Sequence, residues 1–60
     1  AIVGREARGS EEINPEKGTG RVAVDGDDWK AVSEDGTVID KGERVTITKV
    51  ESVIVTVKKQ

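Results

Sequence analysis

Gly20-Arg21-Val22-Ala23-Val24-Asp25-Gly26-Asp27-Asp28-Trp29-Lys30-Ala31 decides the fold. Val22 and Val24 alternate with Arg21, Ala23 and Asp25, the period-2 pattern of a half-buried strand. Asp25-Gly26 then supplies a dipeptide suited to the positive φ angles of a two-residue type I′ hairpin turn. The chain resumes at Trp29, its single aromatic residue, so the stretch reads as a β-hairpin with an acidic tip.

The same alternation recurs downstream. Val45 and Ile47 alternate with Arg44, Thr46 and Thr48, and Val53, Val55 and Val57 alternate with Ile54, Thr56 and Lys58. Helical spacing is scarce, and the enriched Val, Ile and Thr favour strands. Turn-forming groups break the chain at Asn14-Pro15-Glu16-Lys17-Gly18, Asp25-Gly26-Asp27, Glu34-Asp35-Gly36 and Asp40-Lys41-Gly42. Five strands are therefore expected, near Arg5 to Ile13, Thr19 to Asp25, Trp29 to Ser33, Glu43 to Val50 and Val53 to Lys58. The first is the most charged, and its Ser10-Glu11-Glu12 also fits the start of a helical turn. Val50 and Val53 bracket the final turn, which leaves the register there open by one residue.

Sixty residues form one small domain, 1–60, with a thin core. Five short strands with thin alternating faces remove their edges most economically by closing into a barrel. The class is all-β, a small five-stranded OB-like β-barrel. The helix usual between strands three and four has no room, since Glu34 to Gly42 holds only Val38-Ile39 between glycine turns.

Composition narrows the chemistry. The chain has no cysteine and no histidine, so thiolate metal sites, disulfides and the commonest general base are all absent. Ten basic and twelve acidic side chains give a net charge of -2, and one aromatic offers no row of base-stacking platforms, which argues against nucleic acid as a partner. Asp25, Asp27 and Asp28 surround Gly26, but lack the ligand spacing and distal bidentate carboxylate of a calcium loop. They read as the solvated tip of a hairpin. Gly18-Thr19-Gly20-Arg21 lacks the Lys-Ser/Thr and following helix of a phosphate loop. Ser10, Ser33 and Ser52 have no histidine to activate them, and no lysine is set in an apolar pocket that would lower its pKa. No catalytic, cofactor-binding or metal-binding residue is therefore assigned, and the segment is read as no enzyme. Trp29 could anchor a partner through its large apolar ring and N–H. The reading preferred for it is core or barrel-mouth packing, because the barrel has no Phe, Tyr, Leu or Met to fill its volume.

Taken in order, Gly20-x-Val22-x-Val24-Asp25-Gly26-x-x-Trp29-x-Ala31, Ile39-x-x-Gly42-x-x-Val45-x-Ile47 and the Val53 to Val57 strand resemble the C-terminal soluble domain of NfeD-like proteins. Gly4, Ile13-Asn14-Pro15 and Gly18-x-Gly20 fit the same pattern. The chain departs from it at Ser52-Val53-Ile54, where the family often has Gly-Leu, and in its charged first strand. The resemblance implies an OB-like barrel attached to membrane helices that lie outside these residues. It also implies a stomatin-like (SPFH) membrane protein or a membrane protease as partner, and a role in regulating membrane protease activity. Some longer relatives carry a Clp-type serine protease domain, none of which is in this sequence. Self-association is open, and partner contacts are not fixed residue by residue. The chain opens on Ala1 without a Met, which reads as a fragment or processed product of a membrane-associated protein. The alternative function is an OB-type oligonucleotide or small-ligand binder.

Overall fold

A computed structural model of the chain describes residues 2–60. Its strands are β1 (Glu6–Asn14), β2 (Thr19–Val24), β3 (Asp27–Ser33), β4 (Arg44–Glu51) and β5 (Ile54–Lys59), with no helix among the described residues. They close in the order β1-β2-β3-β5-β4, with β4 returning to β1. Every contact between neighbours is antiparallel except the parallel β3–β5 seam. This is a small OB-like barrel, and closure leaves no strand with a whole edge exposed.

Alternation accounts for the core. Val22 and Val24 from β2, Ala31 from β3, Val45 and Ile47 from β4, and Val55 and Val57 from β5 all point inward and are buried. Burying each such aliphatic side chain contributes about 1.5–3 kcal/mol. Ala7 and Ile13 complete the set from β1, together with Ile39, which lies outside the strands. Ile39 exchanges backbone hydrogen bonds with Ile13, 2.8 and 2.9 Å, and is fully buried. The stretch between β3 and β4 thus contributes one isoleucine to the core.

The hairpin turn is Asp25-Gly26, with φ of 51° and 81°, and both strands run up to it. Strand β2 ends at Val24 and β3 begins at Asp27, because Val24 and Asp27 pair across the turn. The last turn lies one residue later than the expected strand ends place it. Strand β4 continues through Val50 and Glu51, leaving Ser52-Val53 as the turn. One extra residue in β4, Thr48 between Ile47 and Lys49, shifts the register, so Val50 pairs with Val55, and Val53 in the turn is exposed.

Strand β1 is a strand throughout, and no helical turn forms at Ser10-Glu11-Glu12. Two register shifts against β2, between Gly9 and Glu11 and between Glu11 and Asn14, bend it around the barrel. Its inward residues are small or widely spaced, Ala7, Gly9 and then Ile13. Charged side chains occupy most of the rest.

Candidate functional site

Two depressions lie along the outer side of β3. One, of about 390 Å³, is lined by Arg21, Asp27, Asp28, Trp29, Lys30 and Val53. The other, of about 370 Å³, lies between β3 and the β1–β2 turn, where Pro15, Gly18, Thr19, Lys30 and Val32 line it. Lys30 lines both, so the two depressions adjoin along β3 between the β4–β5 turn and the β1–β2 turn, together the β3 groove. In OB-type barrels the face of strands two and three, flanked by those two loops, is where ligands bind.

The groove follows from register. Strand β5 meets β3 only from the Lys30–Ile54 pair onward, so Asp27, Asp28 and Trp29 extend past the end of β5. Val53 caps that gap and is 69% exposed. Lys30 and Val32 occupy outward positions on β3, while Ala31 between them is buried. Of the five exposed large apolar side chains, Val32, Val53 and Ile54 all stand along this seam. A majority concentrated on one seam is the pattern of a contact surface.

Trp29 stands at the rim of the barrel. It is half-buried, packs against the core from one side and lines the groove with the other. The fully buried interior is filled by Ile13, Ile39, Ile47, Val22, Val45, Val55 and Val57 without an aromatic. Branched aliphatics suffice for so slim a barrel, and the ring is left to bridge core and surface.

The three aspartates at the hairpin tip go separate ways. Asp25 pairs with Arg5 at 2.6 Å. Asp28 accepts from the Arg21 guanidinium and from the Ser10 hydroxyl, the latter at 2.6 Å. Those bonds, Arg21 first and Ser10 second, hold its carboxyl below the ordinary aspartate range. Asp27 has no ion-pair partner among the described residues. No grouping of three carboxylates able to hold a metal ion occurs among the described residues.

Lys30 is the other groove charge without an opposite partner. Its ammonium donates to the Gly18 carbonyl at 3.1 Å and reaches no carboxylate among the described residues. The β1–β2 lip is held by the half-turn around Asn14, whose Oδ1 accepts from the amides of Glu16 and Lys17 at 3.0 and 3.2 Å. Sequence reasoning singled out Trp29 and missed Lys30, Val32 and Val53 as its companions. The outward alternation of β3, which places an apolar Val32 beside Lys30, was the available signal; the Val53 contact depends on a register shift that no periodicity reveals.

The serines offer no nucleophile in a sequestered setting. Ser10 donates to Asp28 and Ser33 to Asp35, both at exposed positions, and Ser52 lies in the β4–β5 turn. Asp35 also accepts from the Thr37 hydroxyl and amide, and these bonds, the hydroxyl first, lower its pKa. It braces the loop after β3.

Residues 1–59 match the sequence model of a family described as the NfeD-like C-terminal, partner-binding domain. The chain is also similar to the C-terminal domain of stomatin operon partner protein 1510-C from Pyrococcus horikoshii. That similarity has 30% identity and a TM-score of 0.88 over 98% of this chain and 88% of that one. A second similar structure is the soluble domain of a membrane protein implicated in regulation of membrane protease activity, from Corynebacterium glutamicum. There the identity is 28% and the TM-score 0.86, over 98% of this chain and 94% of the other. A comparison with curated proteins finds no match. No helix among the described residues is long and apolar enough to cross a membrane.

Proposed function

Because the chain belongs to the NfeD-like C-terminal, partner-binding domain family, we propose that it is a non-catalytic docking domain that holds a stomatin-like (SPFH) protein at a membrane. Regulation of a membrane protease follows from that contact. The observation that carries this reading is the family match over residues 1–59, whose description is partner binding. The two similar structures, one a stomatin operon partner and one a soluble domain of a membrane protein implicated in protease regulation, favour the particular partner and place.

The geometry is in keeping with docking and gives little to catalysis. Its one buried polar side chain among the described residues, Asn14, is occupied in bracing a turn. The groove presents Trp29, Val32 and Val53 with a single unneutralised ammonium, a mixed surface of the sort protein partners cover. An oligonucleotide fits it poorly, since Arg21 is already neutralised by Asp28 and only one ring is on hand for stacking.

The test is co-purification of the domain with a recombinant stomatin-like protein of the same organism in mild detergent. Retention of that protein at near-equal stoichiometry is expected. Failure to retain any stomatin-like protein of that organism, with the domain folded, would overturn the assignment.

A further inference from the structure

Resting on the partner-binding reading, we propose that the β3 groove takes an extended protein segment bearing one carboxylate between two apolar side chains on the same face, with the carboxylate set against Lys30. Charge argues for it. Within the groove Arg21 is compensated by Asp28, which leaves Lys30 as the cation available to an incoming group. Its ammonium has three donors, of which the Gly18 carbonyl takes one.

Apolar contact argues for the flanks. Trp29 and Val53 form one end of the groove, Pro15 and Val32 the other, and Lys30 lies on both linings between them. Ile54, the register partner of Lys30 on β5 and 38% exposed, adds apolar surface on the strand next to the groove. A partner segment covering Trp29 and Val53 on one side and Pro15 and Val32 on the other would withdraw the Lys30 ammonium from water, so a carboxylate set against it gains more than at an open surface pair. In an extended segment, side chains two residues apart share a face, so the pattern is apolar-x-acidic-x-apolar. Asp27, uncompensated at the Val53 end, selects against a second carboxylate at that end of the segment.

The probe is the blocked peptide Ac-Val-Ser-Glu-Ser-Val-NH2, compared with versions carrying Gln or Lys at the centre, titrated to millimolar concentration into the 15N-labelled chain. The Glu peptide is expected to move the amides of Trp29, Lys30, Val32 and Val53 together with the indole N–H. The Gln peptide should bind about fivefold more weakly, the scale of one partly exposed charge pair. Lys30→Glu should invert the order in favour of the Lys peptide, while Lys58→Glu, the same charge change outside the groove, should leave it unaltered. Absence of shifts, shifts centred elsewhere, or equal binding of Glu and Lys peptides to the unaltered chain would overturn the proposal. If that happens while a stomatin-like protein is still retained, the docking function stands and this description of its ligand falls.

Discussion

Gly20 adopts a φ of 152° in β2 between its neighbours β1 and β3, and a Cβ built there would lie 2.5 Å from the Ala31 carbonyl and 3.2 Å from the Ile13 backbone. Both neighbours are backbone atoms in the barrel wall, so neither can turn aside. Its amide also donates to Glu11 Oε1 at 3.0 Å, tying β1 to β2 at a point of irregular register. Gly20→Ala should therefore lower stability by about 2–3 kcal/mol through overpacking and backbone strain. A urea melt checks this as a fall in midpoint with little change in slope. The sequence shows a glycine before a strand and suggests a turn; that it is a close approach between chain segments depends on contacts with Ile13 and Ala31 on the two neighbouring strands, which no local pattern carries. Trp29 is similar. Its size made it conspicuous, but whether the ring enters the core or lines a groove is decided by where β5 stops.

Among the elements, all five strands lie within two residues of the expected boundaries, β2 through β5 because each buries one face and exposes the other. Strand β1 is less legible. Its shifts of register break the period, and its inward positions use Ala7 and Gly9, which add little hydrophobic signal. The Glu34 to Glu43 connection is correctly expected to lack a helix, but its packing role rests on one residue. Ile39 fills the barrel end against Ile13, so Ile39→Ala should open a cavity and cost about 2–4 kcal/mol. A barrel this small has roughly 3–5 kcal/mol in hand. The variant should consequently populate unfolded chain at 25 °C, visible as a second set of amide resonances or a much reduced thermal midpoint, whereas Val38→Ala, at an exposed neighbour, should melt almost unchanged.

At the scale of the whole molecule, closure of the sheet settles most of the backbone, and the incomplete overlap of β3 with β5 leaves one stretch where side chains and strand edge face solvent together. The groove's breadth comes from two turns far apart in sequence, Pro15 to Gly18 and Ser52-Val53, brought to opposite ends of β3 by the barrel. Family and fold were readable from glycines, Trp29 and the closing strands, all local features. The groove was not, since it is a product of register. The proposed docking puts a stomatin-like protein on this face. It is tested most directly by titrating the 15N-labelled chain with the soluble SPFH domain of such a protein and mapping the amides that shift or broaden. A contiguous set at Trp29, Lys30, Val32, Val53 and Ile54 with the β1–β2 turn is expected; a footprint on the opposite wall, around Arg8, Arg44 and Lys58, or no footprint at all, would overturn docking on this face.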